Sequence, residues 1–318
     1  MKRASHFFST ALAAALGLMA PHAGRAQAPK AATQASSTAR TFATPDEAAD
    51  AFVTALRAKD REGFLDVLGQ EAATWLFSGD PVADAGDRER FLAAYDEKHA
   101  LQRREGERAV LVVGNDDWPF PAPIVKGSAG WHFDAAAGRE ELLNRRIGGN
   151  ELDTIQTLLA IVDAQREYAA QDADRDGFAD YAQRFRSTPG KKDGLYWETS
   201  PGEPDSPLGV LAARASLEGY SEQLRSPEQE AYHGYDFRIL TAQGKHADGG
   251  AYDYMVRGKL LGGFAVVAAP ARYGVSGVMT FLVNHEGVVF QKDLGPKTAE
   301  LVEQMRAFDP DASWKRVQ

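Results

Sequence analysis

The stretch Asp172–Tyr181, DADRDGFADY, has residue types and a spacing that can hold a metal ion. A twelve-residue calcium loop offers oxygens at its first, third, fifth, seventh and ninth positions and turns on a glycine at the sixth. Asp172, Asp174 and Asp176 fill the first three places, Gly177 the turn, the carbonyl of Phe178 the seventh and Asp180 the ninth. The twelfth place, where a bidentate glutamate belongs, is Gln183. An acid from the following loop, Asp193 or Glu198, could complete the shell. Carboxylates packed this closely repel one another unless a cation sits among them, so either calcium or arginine partners such as Arg175 and Arg184 must answer them. The plain alternative is an acidic surface turn. Extracellular calcium sites need only about 10⁻⁴ to 10⁻³ M affinity, which an imperfect loop can reach. The expected cofactor is therefore calcium, with a structural role: pinning the end of a helix to the loop after it.

Other chemistry is sparsely marked. His99, His132, His233, His246 and His285 are scattered, and no two have the spacing of zinc ligands on a helix. His132, in GWHFD between Trp131 and Phe133, could line a cavity mouth, but a strand histidine beside aromatics is more often simply packed. G-x-S-x-G, G-x-x-x-x-G-K-[ST] and G-x-G-x-x-G are all missing, so serine hydrolysis and nucleotide binding have no support. A small-molecule enzyme of isomerase or dehydratase type would need a buried acid beside a hydrogen-bond donor. Asp80, Tyr95, His99 and Trp118 are the candidates, though helix caps, core edges and loops explain the same residues. A binding module would instead expose an aromatic patch, with Trp118, Tyr196 and Trp197 as candidates.

Several bounds come from the whole chain. Lys2 and Arg3, an uncharged apolar run from Phe7 to Met19, and the small residues around Ala26 read as a secretory signal cut after Ala26. The run is shorter than the roughly 20 residues a membrane span needs. A periplasmic or secreted protein without an integral membrane segment is expected. The chain has no cysteine, which excludes disulfides and thiolate chemistry. The formal charge is −9, and the first 26 residues carry three cations and no acid, so the remainder stands at −9 − 3 = −12. That argues against nucleic acid or anionic lipid as a partner, since both need a basic face. An envelope protein or a small ligand is the partner class that remains.

These residues need elements to position them. Residues 27–41 read as a disordered linker. Thr44 and Pro45 open a helix with Ala48, Phe52, Ala55 and Leu56 on one face. Helices in DREGFLDVLG and DRERFLAAYDEKHAL follow, then strands in AVLVVG and PAPIVKGSAGWHF. A mostly helical stretch breaks at Gly148–Gly149, with Asn150 capping a second helix whose core stripe is Leu152, Ile155, Leu159 and Val162, widened by Leu158 and Ile161. From Tyr235 the chain reads as an antiparallel meander with a hairpin at NHEG, closed by an amphipathic helix in PKTAELVEQMRAFDP. The fold class is α+β, in two lobes (42–148 and 149–318), each with helices packed on a curved antiparallel sheet.

PAPIVKGSAGWHFD, GREELLNRRIGGNEL, DADRDGFADYAQRF, KKDGLYW, SPLG and GGFAVVAAPARYGVSGVMTFLVNHEGVVFQKDLG together resemble the bacterial domain-of-unknown-function family numbered 2950. The resemblance runs over residues 42–314. It implies an exported protein and no particular reaction. The family's pattern has a charged residue after the first glycine of RRIGGNE; this chain has Gly149, so no side chain acts there. At the level of fold, residues 42–135 resemble the cone-shaped domain of nuclear transport factor two. Residues 150–296 resemble a pilin or pseudopilin, with an internal helix leading into a meander. Fold alone assigns no function.

Overall fold

The computed structural model describes residues 39–172, 177–220 and 231–317. Four helices come first: α1 (Pro45–Ala58), α2 (Arg61–Leu68), α3 (Ala73–Leu76) and α4 (Pro81–Glu97). Thr44 Oγ1 accepts the amide of Glu47 to start α1, and Lys59 ends it in the left-handed conformation. Asp60 starts α2 in the same way, through the amide of Gly63. The first sheet is antiparallel, with β1 (His99–Arg104), β2 (Arg108–Val113), β4 (Ile124–Gly127) and β5 (Gly130–Phe133) in that order and β3 (Trp118–Pro119) on β2. The linker expectation ends slightly too late. Arg40 already donates to the Asp66 carbonyl, and Phe42 bridges to Trp131.

One helix, α5 (Ala135–Gln171), then runs for 37 residues, about 55 Å at 1.5 Å per residue. The expected break at Gly148–Gly149 does not occur. Both glycines are exposed with open space around them, and helical hydrogen bonding passes through. Asn150 is no cap; its amide donates to the Ser276 carbonyl at 2.8 Å. The core stripe is also rotated from the expected one. Leu158, Ile161, Val162 and Tyr168 are buried, whereas Leu152 is 67% and Leu159 37% exposed. Thr154, Thr157 and Gln165 take up part of the buried face. Thr154 and Thr157 bond carbonyls one turn back and Gln165 bonds both backbone groups of Ala182, so a buried polar face is tolerated where an apolar stripe was expected.

After α6 (Gly209–Leu217) comes the second sheet, in the order β15 (Lys315–Arg316), β13 (Phe290–Asp293), β12 (Met279–Asn284), β11 (Ala265–Pro270), β6 (Tyr235–Leu240). The segment YDYMVRGKL, expected as one strand, is divided into β8 (Tyr252–Asp253), β9 (Met255–Val256) and β10 (Lys259–Leu260) by a turn at Arg257–Gly258. β7 (Ala242–Gln243) pairs with β8 and, in parallel, with β14 (Ala307–Phe308). The last helix, α7 (Thr298–Gln304), is shorter than expected because its chain passes into β14. NHEG makes the expected hairpin, with Gly287 donating to Asn284.

The elements surround two hydrophobic cores. The first gathers Phe52, Leu65, Trp75, Leu111, Ile124 and Phe133; the second gathers Tyr235, Tyr254, Leu260, Phe264, Val266 and Phe281. α5 supplies Leu143 to the first and Leu158, Ile161 and Val162 to the second. The architecture is α+β, and among the described residues no helix is long and apolar enough to cross a membrane. Because α5 is continuous and its glycines meet nothing, Gly148→Ala with Gly149→Ala should raise stability by about 1–2 kcal/mol. Urea unfolding measures this; no gain would mean that the helix is broken there in solution.

Candidate functional site

α4 is placed by a buried carboxylate at its start. Asp80 is fully buried and Pro81 fills the first helical position. One oxygen of Asp80 accepts the amides of Val82 and Ala83 at 3.1 and 2.9 Å. The other accepts the Tyr220 hydroxyl at 2.7 Å and the Gly234 amide at 3.0 Å. The first pair caps the helix, and the second pair comes from the other lobe. Gly234 has φ +72, and a Cβ there would sit 2.6 Å from the Asn150 amide nitrogen, so the approach needs glycine. Next to this, the Arg272 guanidinium donates to the carbonyls of Thr74 and Phe77, and Val275 packs against the first core. The loop between β11 and β12 thus grips the first lobe.

Held in this way, α4 presents Asp84, Asp87, Arg88, Phe91 and Ala94 along one face. Across from it stand Phe52, Ala55, Leu56 and Lys59 of α1 and Arg61 and Phe64 of α2. Leu142, Arg145 and Arg146 of α5 and the rings of Trp118 and Phe120 complete the wall. The half-open cavity they line has about 590 Å³, within the usual range for a small-molecule site. Its interior is aromatic. The Phe52 ring lies 4.8 Å from Phe120 and 5.7 Å edge-on from Phe91, which in turn meets Trp118 edge-on at 6.5 Å.

Charged groups line it as well. Burial pushes the Asp84 carboxyl up from the usual carboxylate value, opposed by its hydrogen bond from the Ser78 amide and by the Arg146 guanidinium. Burial conversely lowers the Arg146 guanidinium, which donates to the carbonyls of Trp75 and Leu76 at 2.9 and 2.6 Å. Arg145 bonds Glu141 and lies over Trp118, and Arg61 lies over Phe77 at 3.9 Å.

The residues singled out from sequence disperse. Trp118 lines the cavity. Asp80 is a helix cap and lobe tie outside it. Tyr95 is buried on α4, stacked on His99 at 3.8 Å, and burial raises its hydroxyl pKa. His132 is half-buried on β5, in register with Val125. Trp197 and Tyr196 pack on the second core, so they form no common patch with Trp118. Asp84, Arg88 and Arg146 were missed. The spacing of Asp84, Asp87, Arg88, Phe91 and Ala94 would have shown the first two, had the helix been started at Pro81 rather than Asp87; Arg146 sits on α5 and carries no such signal.

Of the proposed calcium loop, Asp174 and Asp176 lie outside the described residues. Asp172 accepts the Gly177 amide at 3.1 Å. Phe178 is exposed, under the Lys259 ammonium. Asp180 is buried and faces that same ammonium at 3.5 Å. Gln183 reaches the Gly258 carbonyl, Asp193 bonds the amide and hydroxyl of Thr188, and Glu198 pairs with Arg186. Among the described residues no three histidine or carboxylate side chains converge as a metal site.

The chain belongs to the family described as Protein of unknown function (DUF2950), whose family model matches residues 39–317. No curated protein and no solved structure matches the chain.

Asp80→Ala removes the cap and leaves the Tyr220 hydroxyl and Gly234 amide buried without an acceptor. It should cost about 3–5 kcal/mol in denaturant unfolding, against about 1–2 for Tyr220→Phe. The double variant should cost less than the sum. Strict additivity would mean that the two groups do not share a bond in solution.

Proposed function

We propose that this is an exported, non-catalytic binding protein of the cell envelope whose first lobe holds a small ligand with an apolar body. The observation that carries this reading is the 590 Å³ cavity walled by Phe52, Phe91, Trp118 and Phe120. Burying apolar surface against such a wall contributes about 25 cal/mol per Å², so a ligand that fills it needs few polar contacts to bind. Export rests on the positive, apolar and small-residue order of residues 1–26.

A second reading has one observation behind it. Asp84 is a half-buried acid with a raised pKa in an apolar cavity, the kind of group a proton-transferring isomerase uses. Binding is the better-supported reading because both Asp84 oxygens already accept the Ser78 amide, which ties the carboxylate to the start of its own helix.

The cavity can be tested with a neutral environment-sensitive dye such as Nile red. The protein should bind it near one to one and brighten it. Ala94→Phe, which puts a ring into the cavity, should weaken binding about tenfold or more while shifting the unfolding midpoint only slightly. Equal dye binding by the variant would place the dye elsewhere and overturn the reading.

The acidic loop is proposed to hold calcium as a structural ion. Support comes from its oxygen spacing and from Asp172, whose carboxylate accepts the Gly177 amide. At millimolar calcium and about 10⁻⁴ M affinity the ion would add about 1–1.5 kcal/mol to stability. Thermal unfolding in calcium should show a higher midpoint than in chelator, and Asp174→Ala with Asp176→Ala should abolish the difference. An identical midpoint for the wild type in both solutions would sink the calcium reading and leave an acidic turn.

A further inference from the structure

We infer that the ligand of the first-lobe cavity is an amphipathic monoanion, with an oxyanion head held at the mouth by Arg88 and Arg61 and an apolar tail among the phenylalanines. This rests on the binding reading above and adds the chemical class.

The argument is a census of charge around the cavity. Six cations line it, namely Lys59, Arg61, Arg88, Arg90, Arg145 and Arg146, against three carboxylates, Asp60, Asp84 and Asp87. That is an excess of 6 − 3 = 3 positive charges in a chain whose formal charge is −9. The sign of the wall is thus opposite to that of the molecule.

Partners decide which of these charges can serve a ligand. Every carboxylate is committed: Asp60 to the Gly63 amide, Asp84 to Ser78, Asp87 to Arg90 at 2.5 Å. Arg145 is held by Glu141, and Arg146 spends its donors on the Trp75 and Leu76 carbonyls. Lys59, Arg61 and Arg88 remain. Among the described residues none of them makes a hydrogen bond through its side chain or an ion pair. Arg61 is nevertheless positioned, because its guanidinium lies over the Phe77 ring. Arg88 is half-buried on the cavity face of α4, one residue after Asp87 and three before Phe91.

A half-buried guanidinium without an acceptor forgoes charge-assisted bonds worth more than neutral ones. Two guanidinium forks at the rim of an apolar basin match a planar or tetrahedral oxyanion, which accepts paired N–H bonds. A neutral ligand would leave them unanswered, and a cation would be repelled. A tail is required as well, because most of the remaining lining is aromatic or aliphatic. Carboxylates, phosphates and sulfonates share the head chemistry, so a fatty acid and a single-chain phospholipid both qualify.

The test is calorimetric titration of the purified protein with dodecanoate, dodecyl phosphate, dodecanol and dodecylammonium, each below micelle formation. Dodecanoate or dodecyl phosphate should bind about tenfold or more tighter than dodecanol, and dodecylammonium weakest. Whichever of the two anions binds tighter identifies the source. Arg88→Ala with Arg61→Ala should remove the preference for the anion, so that dodecanoate and dodecyl phosphate bind no more tightly than dodecanol. Dodecanol binding as tightly as the anions, or a preference that survives the double variant, would overturn the anion assignment while keeping the cavity as a binding site. Binding of all four compounds that is untouched by Ala94→Phe, or no binding by any, would remove the cavity reading itself and this inference with it.

Discussion

Asp80 sets the constraint from which the rest of the architecture follows. A carboxylate with no solvent exposure is tolerable only when strong donors replace its water. Here two donors come from the helix it starts and two from the opposite lobe. The bonds that offset its burial therefore fix where α4 begins and where the segments of Tyr220 and Gly234 sit against it. The start of α4 cannot satisfy this residue alone. Gly234, which needs its left-handed backbone to bring an amide there, and Tyr220, whose hydroxyl pKa burial raises, are consequences of the same requirement.

The second tie is α5. A helix of 37 residues is weakened at two exposed glycines and stays continuous more readily when both halves are anchored. Its first half is fixed by Arg146 on the carbonyls that close α3. Its second half is fixed by Glu151, which accepts the amides of Val278 and Met279, and by the apolar residues of the second core. Tertiary anchoring outweighs a local penalty of about 1 kcal/mol per glycine. This is why the break read from the sequence fails. Propensity speaks for an isolated segment, and this segment is not isolated.

The same distinction separates what the sequence discloses from what it hides. Capped starts such as Thr44–Pro45, the apolar run AVLVVG and the NHEG turn are local, and they appear where expected. Leu152 and Leu159 fit an apolar period but face solvent, because register against the second sheet depends on residues more than a hundred positions away. The cavity was hidden for a related reason. Its wall is drawn from α1, α2, α4, α5 and the Trp118–Phe120 segment, and the charged residues of α4 look like an ordinary solvated face until α5 is laid across them. Asp80 was legible as a polar residue in front of a proline, and thus as a cap; its partners, 140 and 154 residues away, were not.

The wall and the tie meet on one helix, and this joins stability to binding. Asp80 begins α4, and Asp84 and Arg88 follow on the same side at one-turn intervals. Whatever fixes the first of them fixes the height of the other two at the cavity. Asp84 bonds Ser78, whose hydroxyl in turn bonds the backbone of Asp80, so the acid is tied to the start of its own helix. A carboxylate left loose at that depth would neutralise the guanidinium and cancel the positive mouth. Tied to the helix start, Asp84 has both oxygens engaged by the Ser78 amide. The fold thus keeps a cation and an acid one turn apart on the cavity wall, the acid bonded within its own segment.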